Sequence, residues 1–421
     1  MSMSRRGFLA LGAGATALGL GYWARRRQGD PSSAVPPLVR DDRSLVVVYL
    51  AGGNDALSFL VPYTDRAYYD RRPTLAVPAD RVLQVGSDAN GSPLGLHPNL
   101  PGLKAIFDRG HAVILQRVGY ERASRSHFVG CDVLCAADPV RPQGDGWLGR
   151  YLDTLPAPAD ALSAWNTQFQ LPRSLFADHV GVPSIVEPAA YTYLHPWGEA
   201  DAVTALAAGR PGVDADLAFL NAVTTDALAT IPRVAAVAPR NPTTPYPDTP
   251  LGATLRLVAA ALAGQTGTKV FWVQAAGFDT HAGQGTLDGT YARLMSTLDG
   301  ALAAFHDDLH NQGLLDRTLT LVCSEFARRI DENGSRGTDH GAAGLMVAVG
   351  GAVRGGLYGT AARLGRDKDN PDLENDGRDV RHETDFRAVY AHILDDWLGA
   401  DSTAVLRGDF RSERMRFLQG A

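Results

Sequence analysis

The sequence predicts an α/β fold, a mostly parallel central sheet with helices on both faces. Three observations carry that reading. Runs such as Leu45-Val46-Val47-Val48-Tyr49-Leu50 are continuously apolar rather than alternating, as strands covered on both faces should be. Most of these runs pass directly into glycine or polar residues. Between them lie stretches with apolar residues three and four apart, the spacing of a one-sided helix, and alternating strand and helix signals mark a parallel sheet.

The elements follow in order. The first strand signal, Ser44 to Leu50, passes into Ala51-Gly52-Gly53-Asn54-Asp55. The second, His111 to Val118, runs into Gly119 and a polar segment. The third, Lys269 to Gln274, leads to Gly277-Phe278-Asp279-Thr280-His281. The fourth, Thr318 to Cys323, leads to Ser324-Glu325-Phe326, and the fifth, Gly344 to Val349, ends in Gly350-Gly351. The clearest helix places Leu287, Tyr291, Leu294, Leu298, Leu302, Phe305 and Leu309 on one stripe. Another, Phe386 to Leu398, carries Val389, Ile393 and Trp397 on one side. Pro156 to Pro250 lacks strong strand signals and closes with prolines 242, 245 and 247, so it reads as a helical insertion or cap. The expected organisation is a leader and linker over 1–40, a discontinuous α/β body over 41–155 and 251–400, an insertion over 156–250 and a tail over 401–421.

The leader has its own signature. Ser4-Arg5-Arg6-Gly7-Phe8-Leu9-Ala10 looks like a twin-arginine export signal, standing before a Gly/Ala-rich apolar run to Ala24. That run is short and glycine-rich for a membrane span, which needs about 20 apolar residues. Cleavage near Ala34 and retention as an N-terminal anchor both remain open. The expectation is a periplasmic or extracellular protein that engages the twin-arginine translocase, with N-terminal membrane association as one outcome. Because that route carries folded proteins, a metal site assembled before export is compatible with it.

Composition narrows the function. A hydrophobic share of 45% with 20% charged residues is that of a soluble globular body. The formal net charge of −6 supplies no basic face for nucleic acid. Three cysteines are too few for a disulfide framework; Cys131 and Cys135 can share a helical face, as a redox pair or as two small buried residues, and Cys323 reads as core. Neither a Gly-x-Ser-x-Gly elbow nor a Gly-x-x-x-x-Gly-Lys phosphate loop occurs.

Ligands of open parallel sheets bind beyond the carboxyl ends of the strands. Asp55, the segment Ser124 to His127, Asp279 with His281, and Glu325 all follow strand signals, and Asp339-His340 stands just before the fifth. Carboxylate and imidazole donors converging from several strand ends suit a divalent metal such as Zn²⁺ or Mn²⁺, one ion or two. Asp55 also reads as a turn or helix-cap residue, and Glu325 as an ordinary first-turn carboxylate.

The chain resembles the family catalogued as domain of unknown function 1501, twin-arginine-exported proteins grouped with the alkaline phosphatase and sulfatase superfamily. The resemblance is carried by Ala51-Gly52-Gly53-Asn54-Asp55 with Val61-Pro62-Tyr63, Ser126-His127-Phe128, and Gly146-Trp147-Leu148-Gly149-Arg150. It continues through Gly277 to His281, Ser324-Glu325-Phe326-Ala327-Arg328, Thr338-Asp339-His340-Gly341 and Asp385 to Tyr390. It implies an alkaline phosphatase-like fold and a metal-dependent hydrolase of small anionic phosphate or sulfate esters. Asp55 would hold one metal beside a serine nucleophile, Ser126 with Ser124 in reserve, and His127 and Arg328 would complete the catalytic set. Arg125 and Arg329 are further oxyanion candidates. Asp279, His281 and His340, with Glu325 and Asp339, would hold the other ion. The chain departs from the superfamily where an Asp-His pair is expected, for it has Glu325-Phe326. Phenylalanine cannot coordinate a cation, so a single-metal enzyme or a non-catalytic binding or assembly protein is the alternative.

Overall fold

The computed structural model describes residues 42–156, 159–192, 205, 215–237, 241–413 and 415–419. The twin-arginine segment and the linker, residues 1–40, lie outside the described residues. In chain order the relevant elements are β1 (Ser44–Ala51), β2 (Ala112–Gly119), α1 (His127–Ala136), β3 (Ala164–Asn166), α2 (Pro250–Ala263) and β4 (Val270–Ala276). They continue with α3 (Gly289–Asn311), β5 (Thr318–Cys323), β6 (Arg328–Glu332), β7 (Thr338–His340), β8 (Gly344–Val349), β9 (Gly356–Tyr358), β10 (Thr384–Asp385) and α4 (Phe386–Asp396).

The central sheet has the order β9-β2-β8-β5-β1-β4-β3, with β10 also paired to β2. The β1 strand lies at its middle, parallel to β4 and β5, with Val47 level with Trp272 on one side and Leu321 on the other. Only β8 runs against its neighbours, pairing antiparallel with β2 and β5. The mostly parallel sheet expected from continuous apolar runs is therefore present.

Successive side chains point to opposite faces, so each strand feeds two cores. Leu45, Val47 and Tyr49 join Leu319, Leu321, Trp272 and the Val389-Tyr390-Ile393 side of α4. Val46, Val48 and Leu50 join Phe271 and Val273 under Leu255 and Val258 of α2 and Met295, Leu298 and Leu302 of α3. Burying one such side chain contributes about 1.5–3 kcal/mol, and that is what holds helices on both faces. The start of α2 is fixed locally: Pro250 takes the first helical turn and the Thr249 hydroxyl accepts from Gly252 N at 3.1 Å.

The segment over 156–250 differs from a purely helical insertion. Within it Ala164–Asn166 forms β3, the edge of the sheet, parallel to β4, with Trp165 buried and its indole donating to Ile185 O. A three-residue strand is too short to register as a hydrophobic period. A helix over Ala215–Ala235 follows. Among the described residues no helix is long and apolar enough to cross a membrane.

Candidate metal centre

The carboxyl ends of β1, β4 and β5 meet at one rim. Gly52 and Gly53 allow it: both have positive φ, +122° and +78°. A side-chain carbon on Gly52 would stand 2.4 Å from Asp279 N, and one on Gly53 2.5 Å from the Phe326 ring. Only glycine lets β1 end so close to both neighbouring loops. The antiparallel pair β6 and β7 then folds back and sets His340 opposite Arg328. The first residue of α1, His127, arrives from the other side, following an exposed Ser126 at the cap position.

Three imidazoles and one carboxylate converge there. His281 Nε2 and His340 Nε2 lie 3.1 and 3.2 Å from Asp279 Oδ1, and His127 Nε2 lies 3.4 Å from the same oxygen. His281 Nε2 and His340 Nε2 are 2.8 Å apart. Donor atoms of His127, Asp279 and His340 all fall within 4.8 Å of one another. Donors around a tetrahedral ion with bonds of 2.0–2.1 Å would be separated by roughly 3.3 Å, which this cluster brackets.

The outer ring nitrogens each have a partner. His127 Nδ1 is 2.8 Å from Glu325 Oε1, a carboxylate that also accepts from Gly52 N and the Ser324 hydroxyl. His281 Nδ1 is 3.2 Å from Asp339 Oδ1, which accepts from Asn333 as well. His340 Nδ1 is 2.7 Å from the Arg125 carbonyl oxygen. Each Nδ1 faces an acceptor and each Nε2 turns inward toward Asp279 Oδ1. With the hydrogen on Nδ1 the inner lone pair is open to a cation, and with it on Nε2 the ring donates to Asp279, as His340 is placed to do. His127 Nε2 is buried with no hydrogen-bond partner among the described residues. Lone pairs brought this close repel unless a proton or a cation stands between them. Imidazoles held from behind by carboxylate and carbonyl acceptors are the arrangement of metal-ligating histidines.

Charge follows geometry. Partial burial opposes ionisation of Asp279, but the Arg328 guanidinium and His340 outweigh it and take its carboxyl down to about 2. Burial pushes the His340 imidazole below its ordinary value, so the neutral, ligating form prevails. The Phe326 ring packs between His127 and His340, with centroids 4.9 and 4.8 Å away. Where an imidazole was expected, an apolar wall braces two others.

Several sequence expectations are corrected here. Asp55 does not join the donors. It is 1% exposed and forms a two-pronged ion pair with the buried Arg72 at 2.7 and 3.0 Å. Its Oδ2 also accepts from the Ser58 hydroxyl and from Gln284 Nε2, each at 2.7 Å. Burial alone would raise its pKa, yet Arg72 holds it below the carboxylate range. With its lone pairs used, Asp55 is a structural anchor. Glu325 and Asp339 stand behind His127 and His281 rather than among the inward donors. Arg328 is not free for catalysis: its buried guanidinium donates to the carbonyl oxygens of Gly52, Gly53, Phe278 and Thr338 and to Asp279. His127, expected as a catalytic group, points its open nitrogen at the donor cluster.

Other contributors escaped the sequence reading. Gln284 is fully buried; its Oε1 accepts from the Thr280 hydroxyl at 2.9 Å and the Thr338 hydroxyl at 2.7 Å. Thr280 lies between Asp279 and His281, and Thr338 precedes Asp339 and His340, so one amide ties both donor loops to Asp55. Of the arginines, Arg125 is committed to Ala123 O, Glu374 and Asp379. Arg329 is looser, with contacts of 3.4 Å to Asp339 and 3.7 Å to Asp379 and a buried Nε that makes no hydrogen bond among the described residues.

A family model described as "Protein of unknown function (DUF1501)" matches residues 133–407, and the chain belongs to that family. No curated protein matches the sequence significantly. Among solved structures, a sulfatase from Pseudoalteromonas sp. is 11% identical with a TM-score of 0.34, over 76% of this chain and 64% of that one. The phosphonate monoester hydrolase of Agrobacterium radiobacter is 11% identical with a TM-score of 0.32, over 87% of this chain and 78% of that one. These likenesses concern the fold alone.

Proposed function

We propose that this DUF1501 member is an exported, metal-dependent hydrolase of phosphate or sulfate esters with one divalent ion, Zn²⁺ or Mn²⁺, held by His127, His281, His340 and Asp279. The observation that carries the reading is the convergence of three Nε2 atoms on Asp279 Oδ1. A divalent ion bound there supplies Lewis-acid chemistry to an anionic ester. The chain's own groups do the rest. Glu325, Asp339 and the Arg125 carbonyl keep the three imidazoles in the ligating tautomer. Arg329, partly exposed and held only by contacts of 3.4 Å to Asp339 and 3.7 Å to Asp379, binds a non-bridging oxygen of the ester. Ser126, exposed and with no helix-cap bond on its hydroxyl, is the nucleophile, and the first amides of α1 favour the anion it attacks.

The alternative, a non-catalytic envelope binding or assembly protein with a vestigial or structural metal site, is favoured by one fact. Asp55, the residue implied for a metal beside the serine, is spent on Arg72. Metal quantification on the purified full chain, followed by assay of phosphomonoesters, phosphodiesters and sulfate esters, separates the two. The hydrolase reading expects one ion per chain, turnover of at least one ester class, and loss of turnover in Ser126→Ala with the ion retained. One bound ion without turnover assigns the chain to the alternative with a structural ion, and no bound ion ends the hydrolase reading and leaves the alternative with a vestigial site.

A further inference from the structure

Helix α1 carries more than the donor in its first turn. His127, Cys131 and Cys135 follow one another at steps of four and share a face. Cys131 Sγ and Cys135 Sγ are free and stand 3.9 Å apart. Cys131 is half-buried and within reach of solvent, while Cys135 is buried. The helix has ten residues and stops just after the pair, at Ala137 with φ +53°.

We propose that Cys131 and Cys135 form a reversible disulfide site, and that closing it opens the last turn of α1 and loosens the metal centre. The second half of this proposal rests on the metal reading given above; the first does not. A disulfide needs its two Cβ atoms about 3.5–4.5 Å apart. Residues four apart on an intact helix keep theirs at about 5–6 Å. The bond therefore cannot close while the turn from 131 to 135 is helical. That turn is the terminal one, held at its end by the Arg150 guanidinium donating to Ala136 O at 2.8 Å. Opening it leaves a helical stub too short to sustain itself without packing, and His127 sits at the start of that stub. Conversely, a cation that fixes His127 keeps α1 wound and shields the thiols, since coupling between two sites acts equally in both directions.

The chemistry balances with a disulfide as the oxidant. The Cys131 thiol, lowered by the hydrogen bond from Cys135 and by Tyr49, attacks one sulfur of the oxidant as the thiolate. One S–S bond forms, the old one breaks, and one thiol leaves. Cys135, whose proton Cys131 and burial hold while the turn is wound, loses it to solvent once the turn opens, then attacks Cys131 Sγ and expels the second thiol. Two protein thiols give up two electrons, and one oxidant disulfide becomes two thiols that take up the two protons.

The test uses the reduced full chain loaded with Zn²⁺ and treated with oxidised glutathione. Thiols are counted after denaturation by mass labelling, metal affinity by chelator competition, and helix opening by amide exchange over residues 127–136. The expected result is loss of two of the three thiols, leaving Cys323 and no glutathione adduct. Metal affinity falls roughly tenfold or more, as when an outer support of a ligand is lost, and dithiothreitol reverses both changes. Cys131→Ser, with Cys135→Ala as the second variant, keeps the metal and stops responding. Three thiols after oxidant overturn the proposal, as does a disulfide that leaves exchange and affinity unchanged. A reduced chain that holds no Zn²⁺ yet forms the disulfide and opens α1 defeats the metal centre and supports the disulfide site.

Discussion

Two polar clusters sit side by side at the carboxyl rim of the sheet, built from similar side chains and put to different ends. Around Asp55 the partners are Arg72, Ser58 and Gln284, and the carboxylate's acceptor sites are spoken for inside the protein. Around Asp279 the partners include three imidazoles whose inner nitrogens face one another with too few hydrogens to share. The Asp55–Arg72 side chains are fully buried; Asp279 and His281 are nearly half exposed. An acidic residue after a strand identifies neither role. Both carboxylates pair with a buried arginine, Asp55 with Arg72 and Asp279 with Arg328, so the deciding features are whether lone pairs remain beyond that pair and whether a ligand can approach from solvent.

The sharpest way to break that contrast is Arg72→Ala, which strands the Asp55 carboxylate in the core. Urea unfolding should show a loss of about 3–5 kcal/mol, the scale for removing one partner of a buried ion pair. A loss below about 1 kcal/mol would mean that Asp55 is better solvated than its geometry implies. Next in size is His281→Ala. Chelator competition should show metal affinity reduced by more than the ~10–100-fold typical of losing an outer partner, with little change in metal-free stability. Unchanged affinity removes His281 from the donors. Glu325→Gln should fall in that ~10–100-fold range itself, because the amide still fills the space behind His127 but no longer fixes the tautomer as a carboxylate does. An effect as large as that of His281→Ala would place Glu325 in direct contact with the ion.

The smallest effect is a pH dependence. Burial chiefly lowers the pKa values of His340, His97 and His306, so each holds its proton less readily folded than unfolded. Their contribution to stability is therefore complete above the ordinary value of 6.5 and drains away as pH falls below it. Unfolding midpoints of the metal-free protein, taken from about pH 8 down to about pH 5, should decline across that window. The metal-loaded protein should decline more steeply, since the ion and the proton compete for the same nitrogens. A flat metal-free profile would mean that the three rings are more hydrated than their packing suggests.

Legibility from sequence was uneven for physical reasons. The long strands β1, β4, β5 and β8 announce themselves because burial on both faces demands uninterrupted apolar residues. The edge strand β3 does not, being three residues long, with a full strand, β4, on one side and an isolated bridge from Asn166 to Ser184 on the other. At the rim, residue type alone pointed to Asp55 because a carboxylate after a strand is equally suited to an ion and to a guanidinium. Arg72, which decides the matter, is 17 positions away in the chain, and its approach is a product of tertiary packing. The inward role of His127 likewise depends on Glu325, 198 positions distant. Gln284 carried no signal, because a buried amide is recognised only by what surrounds it.

That amide has a mechanical corollary. A single carbonyl oxygen receives a hydroxyl from each side of the rim, from Thr280 and from Thr338, so the two halves of the jaw share one pivot. Any strain felt by Asp279 and His281 reaches Asp339 and His340 through a rigid, solvent-free joint. Anything that alters the separation of those two hydroxyls should thus disturb both donor loops at once, and the turn at 334–336 belongs to the same joint, since Gly283 N and Gln284 N donate to the carbonyl oxygens of Ser335 and Arg336.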